Sequence, residues 1–400
     1  MRGGMNVDRN KAGRRKVLVG MLTAALTLAG CTPSAPPDPT SRATPAPEGQ
    51  HCGIGAPTLT QLAHARGKSF GTAYRSSFAI GDPCYHDVAV TEFGSLTTEI
   101  GTMMNTIEPA PGVFDFDEAD AVAQLAGQTH RDFQIHSLIW DPLDQPQWHI
   151  VPQGIRDLPP AVRHQVMIDS ITTVMKRYAG KASTATVVNE AFDQMGHLQP
   201  TTWWETTRGD QYVFDAFRVA RLADPTALLF YNDHSAETHS DKSNAIYSLV
   251  KRLHDTTVEV VIDGTPTTKP LIDGIGFQAH MLGGKDQQPS TTDMADNLQR
   301  FADLGLTIRF TELDVRIPVA NGVVDPADLD RQRQVYETMT KLCLQQPRCS
   351  GITLWGFTDK RSWITDYPDT FSGYGAATPT TVDYTRKPAW TGILDALRGQ

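Results

Sequence analysis

Two apolar runs in this 400-residue chain end in acids, TATVVNE at 184–190 and LTIRFTELD at 306–314. Burying a carboxylate without a partner costs several kcal/mol. Glu190 and Glu312 therefore stand at the exposed mouths of their strands or are held there for chemistry. A single Glu is explained well enough as a strand-end cap or the partner of a nearby base. Two are harder to explain so when other apolar runs end in working side chains as well. These are Glu99, His136 to Trp140, Asn232 and Asp233, Gln278 and His280, and Trp355. Two carboxylates facing each other across a cleft are the equipment of glycoside hydrolysis. One attacks as an anion; the other protonates the leaving oxygen and then activates water. In the retaining version they stand roughly 5–5.5 Å apart.

Such side chains must be brought together by something. From residue 60 onward, short apolar runs alternate with amphipathic stretches. The predicted strands are 70–74, 95–100, 133–140, 184–190, 227–233, 272–280, 306–314 and 351–357. Between them, residues 161–178 place Val162, Met167, Ile171, Val174, Met175 and Tyr178 at helical spacing. Residues 326–345 open with Asp325-Pro326, a cap followed by proline at the first helical position. Eight β–α units predict a (β/α)8 barrel, a single catalytic domain whose C-terminal strand ends converge on one face. The alternative is a doubly wound open sheet, but no GxGxxG follows an early strand.

The first thirty residues read as a signal peptide, with Arg14-Arg15-Lys16 before an apolar run from Val17 to Ala29. That run is short for a bilayer span. It ends in Leu28-Ala29-Gly30-Cys31, a bacterial lipobox pattern that makes Cys31 the expected lipidation site. The alternative is a plain cleavage site with an incidental cysteine. Export by the Sec or the twin-arginine route is compatible with the basic segment. Residues 31–50 are rich in Pro, Ser, Thr and Ala and predict an extended tether, leaving 51–400 for the catalytic domain.

Residues 1–30 hold six basic residues and one acid, so the remainder is more acidic than the whole chain with its formal charge of −9. Nucleic acid is a poor partner for such a surface, and membrane contact is expected through the lipid anchor only. Besides Cys31, an exported chain with Cys52, Cys84, Cys343 and Cys349 suggests disulfides. Three connectivities are open, of which Cys52–Cys84 and Cys343–Cys349 are favoured. No CxxC or HExxH is present, so neither a metal nor another cofactor is expected. His234 and His239 lack a third ligand in view and read as surface histidines. With no heptad run, a monomer is the expectation.

An ordered series of motifs narrows the reading: LAHARGKSFGTA (62–73), EPAPGVFDF (108–116), HSLIW (136–140), VVNEAF (187–192), ADPTALLFYND (223–233), IDGIGFQAH (272–280), FTELDV (310–315) and LWGFTDKRSW (354–363). Over residues 59–395 the chain resembles family 10 glycoside hydrolases, the endo-β-1,4-xylanases, whose fold is the (β/α)8 barrel. The resemblance implies a xylan-like polysaccharide or oligosaccharide as substrate, with Glu312 as nucleophile and Glu190 as acid/base. Asn189 would bond the 2-hydroxyl of the sugar being cleaved, and His280 would keep Glu312 ionised, with Gln278 close by. His136 and Trp140 would line that sugar's site, and Trp355 and Trp363 would form its aromatic floor. Asp314 reads as structural. The family also pairs cysteines at the positions of Cys343 and Cys349.

The match lapses at the neighbouring sugar sites. After the second strand the family carries Glu-Asn-x-x-Lys-Trp, where this chain has Glu99-Ile100-Gly101-Thr102-Met103-Met104. After Trp140 the family's His-Ser-Gln becomes Asp141-Pro142-Leu143-Asp144, with one extra residue before Trp148. On the leaving-group side Tyr-Asn becomes His234-Ser235. Three readings follow: an endo-β-1,4-xylanase, a retaining glycosidase on another β-linked glycan or a short or aryl xyloside, and a non-catalytic glycan-binding lipoprotein. A binder has no need of a matched acid and nucleophile.

Overall fold

The computed structural model describes residues 52–53, 55–143 and 148–400; the expected signal peptide, Cys31 and the tether lie outside them. Eight parallel strands form its frame: β1 Ser69–Tyr74, β2 Ser95–Thr98, β3 Asp132–Ile135, β4 Ala182–Asn189, β5 Leu228–Asp233, β6 Gly274–Phe277, β7 Thr307–Pro318 and β8 Cys349–Leu354. Each pairs with the next, and β8 also pairs with β1 through Phe70 opposite Ile352, so the sheet closes. The strands are apolar almost throughout because both faces are covered, one by the barrel interior and one by helices.

A helix follows every strand: α1 Pro83–Glu92, α2 Asp117–Thr129, α3 Pro160–Arg177, α4 Gln211–Ala223, α5 Asp241–Asp255, α6 Thr291–Asp303, α7 Pro326–Gln345 and α8 Pro388–Arg398. This is the (β/α)8 barrel that the alternation of patterns predicts. The start of α7 is set as its sequence suggests: Asp325 accepts from the Ala327 N–H at 2.8 Å, and Pro326 opens the helix. On α3, Met167, Ile171, Val174 and Met175 are buried, but Val162 is exposed. In that first turn Arg163 takes the inward place instead, donating to the Arg156 carbonyl at 2.8 Å and to Glu205 at 2.6 Å.

A hairpin of Thr257–Ile262 and Thr265–Pro270, before β6, was not among the predicted elements. Its turn is Asp263-Gly264, both at positive φ, and that dipeptide is the signal that marks it. The bonds Cys52–Cys84 and Cys343–Cys349 are both formed. The first ties the segment before β1 to α1, and the second ties the last turns of α7 to the first residue of β8.

Candidate active site

Beyond the regular strands, backbone hydrogen bonds continue around the C-terminal rim of the barrel. Glu190 N–H donates to the Asn232 carbonyl, Gln278 N–H to Asp233, Glu312 N–H to Gln278 and Trp355 N–H to Leu313, each at 3.0 Å. The rim of β4 to β8 is therefore a fixed ring rather than a set of loose loop starts. The pairing of β7 with β8 slips between Phe310 and Leu313, a bulge centred on Thr311-Glu312. Glu190 adopts the left-handed region at φ 55°, a conformation that costs a residue with a side chain roughly 1–3 kcal/mol and is held by its surroundings.

Glu312 is 4 % exposed and has donors on both oxygens. Oε1 accepts from Asn232 Nδ2 at 2.6 Å and has His136 Nε2 at 3.7 Å; Oε2 has His280 Nε2 at 3.3 Å. Burial alone would push its pKa up. The charges of His136 and His280, with hydrogen bonds from His280 and Asn232, outweigh burial and hold it below the ordinary carboxylate range. The two histidines are not equivalent. Burial lowers the pKa of His136, so its charge acts on Glu312 only towards the acid pH at which Glu312 itself titrates. His280 loses as much solvent, but Asp314 accepts from its Nδ1 at 2.9 Å, and with Glu312 on the other nitrogen its pKa rises to about 10. The cation beside Glu312 at neutral pH is His280.

Glu190 is tuned the other way. Its residue is partly open at the cleft, yet the carboxyl group lies deep among protein atoms, and this desolvation is the largest influence raising its pKa. Asp233 and Glu312 add to the rise, while His234 and the Gln278 hydrogen bond oppose it. Trp140 Nε1 donates to Oε2 at 2.8 Å, Gln278 Nε2 to Oε1 at 2.7 Å, and Asn189 Nδ2 to Oε1 at 3.3 Å. Three neutral amides link the acids. Asn189 Oδ1 accepts from both Asn232 at 2.9 Å and Gln278 at 3.2 Å, which leaves Asn189 Nδ2 turned towards Glu190. Gly276 makes room for this web, because a Cβ there would collide with Asn232 Oδ1 and approach Thr311 Cγ2 to 2.7 Å. One carboxyl biased to stay protonated and one biased to stay ionised is the pairing that an acid and a nucleophile require.

These groups line a cleft of about 480 Å³. Every residue expected at the site from the sequence is there: Glu99, His136, Trp140, Asn189, Glu190, Gln278, His280, Glu312, Trp355 and Trp363. Trp355 meets the His136 ring at 4.8 Å between centroids, and Trp363 meets His280 at 4.8 Å. Trp363 Nε1 also donates to Asp314 Oδ2 at 2.7 Å, so Asp314 positions both the histidine and the indole.

His234 lines the cleft with Ser235, against the expectation of a surface histidine, because the ring continues the mouth of β5. His239 is at the surface, 2.7 Å from Asp293. Asp141 is buried away from the cleft, paired with Arg156 and accepting from Thr202 N–H at 2.8 Å. Sequence reasoning missed Arg75, Trp148, Arg316, Tyr367 and Phe371, which also line the cleft. Asn232 was noted at a strand end without a role; its place among the polar strand ends was the signal.

The model of glycosyl hydrolase family 10 matches residues 58–396. The chain belongs to glycosyl hydrolase family 10. Among curated members it is 34% identical over 345 residues to endo-1,4-beta-xylanase 1 of Humicola insolens, covering 85% of this chain and 74% of that one. It is 33% identical over 342 residues to the endo-1,4-beta-xylanase of Agaricus bisporus, covering 84% and 93%. Among solved structures, native xylanase 10B from Thermotoga maritima superposes with a TM-score of 0.75 at 33% identity, covering 86% of this chain and 98% of that one. Relative to the family pattern named above, the cation in the β1–β2 sector of this member comes from Arg75 after β1, while Ile100 and Met103 stand after β2.

Proposed function

We propose that this family 10 hydrolase is a retaining endo-β-1,4-xylanase that cleaves internal β-1,4-xylosidic bonds of xylan by double displacement. The observation that carries the reading is the opposite tuning of Glu312 and Glu190 within one amide web. Glu312 attacks the anomeric carbon, the bond from that carbon to the leaving oxygen breaks, and Glu190 gives its proton to that oxygen. Glu190, now a base, takes a proton from water. The resulting hydroxide attacks the same carbon and frees Glu312. Asn189, whose amide nitrogen is turned towards Glu190 and carries a second N–H, bonds the 2-hydroxyl of the cleaved sugar, where the contact strengthens in the transition state. The ring faces of the sugar, apolar C–H surfaces, lie against Trp140, Trp355 and Trp363.

A product time course on arabinoxylan, glucuronoxylan, β-glucan and aryl β-xylosides tests this, with Glu312→Gln as control. Short xylo-oligosaccharides from wild type alone support it. Cleavage of aryl xylosides without polymer moves the substrate to short glycosides. Binding without any cleavage leaves a glycan-binding protein.

The same proposal takes the protein to be exported as a monomer and held at a membrane through a lipid on Cys31, with residues 31–50 as the tether. Its support is the basic and apolar N-terminal pattern, the lipobox-like Leu28-Ala29-Gly30-Cys31, and two disulfides in the described domain. Detergent partitioning of wild type against Cys31→Ser tests the anchor, and sedimentation tests the monomer.

A further inference from the structure

Besides its histidines, the cleft is lined by two cations among the described residues, Arg75 and Arg316. Arg75 is neutralised by Glu99 at 2.7 Å. Arg316 is not neutralised. Among the described residues its guanidinium makes no ion pair and donates no hydrogen bond; it lies against the Phe371 ring, 5.3 Å from the ring centre. Arg156, Arg221 and Arg333 of the same acidic chain each find an aspartate.

An unpaired arginine on the outer surface would need no explanation, but this one is half-buried in the cleft and its backbone is fixed. It lies on β7, where the Gly283 N–H donates to its carbonyl at 2.9 Å. The next two residues, Ile317 and Pro318, pair with Gly375 and Tyr374, which ties the strand to the segment that carries Phe371. Thr370, which also lines the cleft, brings a hydroxyl to this corner. Glu312, Asp314 and Arg316 follow one another at every second position, so they share a face of β7. Four strand residues place Arg316 roughly 13 Å beyond the nucleophile along that wall, clear of the reacting atoms.

The family pattern puts the neighbouring sugar at the β2 mouth and the leaving group at the β5 mouth. A chain laid between them passes Glu190 on one wall and Glu312 on the other. Arg316 stands outward on the second wall, off that line, where it meets what projects from the chain rather than the chain itself. A guanidinium has only donors, in a fork that fits a carboxylate. On a xylan the substituent with a carboxylate is a uronic acid. Its ring also offers a C–H face to Phe371 and hydroxyls to Thr370.

Resting on the xylanase reading above, we propose that Arg316, with Thr370 and Phe371, binds the carboxylate of a uronic acid branch on the xylan in the cleft, and so makes the enzyme favour acidic over neutral xylan. Arg316 acts through binding alone.

Glucuronoxylan whose branch carboxyls have been reduced to alcohols keeps its backbone and branch positions and loses only the charge. The ratio of kcat/KM on native to reduced polymer therefore isolates the carboxylate. The chain's formal charge of −9 repels an acidic polymer, so unspecific electrostatics would push that ratio below one. Wild type should instead favour the native polymer by roughly fivefold or more, a scale between an exposed ion pair and a hydrogen bond to a charged group. Arg316→Gln should erase the preference. Arg316→Lys should keep part of it, since the charge remains while the fork is lost. Equal rates of wild type on both polymers overturn the proposal, as does a preference that survives Arg316→Gln. Calorimetric binding to Glu312→Gln of a xylo-oligosaccharide with one uronic acid branch, and of its carboxyl-reduced form, gives a readout without turnover. If wild type cleaves neither polymer, but the charged ligand binds more tightly and Arg316→Gln removes the difference, the site stands and the proposed activity falls. If the two ligands bind alike, the site falls.

Discussion

Glu312 and Asp314, two residues apart on β7, address the two nitrogens of one imidazole, that of His280, at 3.3 and 2.9 Å. A neutral imidazole has one N–H to offer; two carboxylates in these positions favour the doubly protonated ring. The alternation of a strand turns side chains i and i+2 to one face, which is why an acid-x-acid spacing delivers both carboxylates to the same ring. The acids at the end of this buried strand are thus held against a cation of the protein's own making.

Removing that cation moves the acid limb of activity. Glu312 must be ionised to attack, and His280 is one of the groups that keep its pKa low against burial. In His280→Gln the Glu312 carboxyl titrates at a higher pH, so the acid limb of the kcat/KM profile shifts upward from its wild-type position. An unmoved acid limb would assign the tuning to Asn232 and His136 instead.

The same ring ties stability to pH. Its pKa is about 10 in the fold against an ordinary 6.5, so its contribution is full below about 6.5 and is lost as pH rises through about 10. Urea unfolding of wild type and His280→Gln should show a stability difference that shrinks across that interval. A constant difference from pH 6 to pH 10 would contradict the charged ring.

Gln278 acts on the other limb. Its Nε2 donates to Glu190 Oε1 at 2.7 Å and favours the ionised form of a carboxyl that burial already pushes up. Gln278→Met removes this donor, so Glu190 keeps its proton to higher pH and the alkaline limb moves further up. The pH dependence of kcat/KM on an aryl xyloside reads it directly.

Gly276→Ala tests the amide web without removing a polar group. The new methyl meets Asn232 Oδ1 and Thr311, and Asn232 is the donor 2.6 Å from Glu312. Overpacking of this kind costs about 1–3 kcal/mol. The prediction is a lower unfolding temperature together with a kcat reduced by roughly tenfold or more, the scale of losing one hydrogen bond to a charge.

The two disulfides differ in the length of chain they close, 32 against 6 residues in sequence separation. On chain-entropy grounds, loss of Cys52–Cys84 should cost about 4 kcal/mol and loss of Cys343–Cys349 about 2 kcal/mol. Denaturant unfolding of the two paired Cys→Ser variants ranks them. The second also loosens the start of β8, the strand that leads to Trp355, so its effect on kcat should exceed what its smaller stability loss suggests.

The strand ends were legible in the sequence because a parallel barrel writes each one as an apolar run closed by a polar or aromatic residue. Glu99, His136, Gln278, Glu312 and Trp355 could be assigned to one face from that grammar, and the family motifs then supplied the roles expected of them. Arg75 closes β1 by the same rule, whereas Trp148, Tyr367 and Phe371 reach the cleft from segments after the strands whose course no periodicity records. Val162 fits the helical spacing of α3, yet Arg163 found two partners inward and the face turned. His234 reads as a surface histidine beside His239 when metal ligands are sought, although its place directly after the Asn232-Asp233 strand end already points to the leaving-group side of the cleft.

The web of Asn189, Asn232 and Gln278 tunes both acids with dipoles that carry no net charge. Mobile counterions have nothing to gather on there, and His280, the cation beside Glu312, keeps only 12 % of its side chain exposed. Ionic strength, which erodes exposed charge pairs within about 10 Å at 0.1 M salt, has little hold on such an arrangement. Brine should leave the pH limbs of this enzyme nearly where dilute buffer puts them.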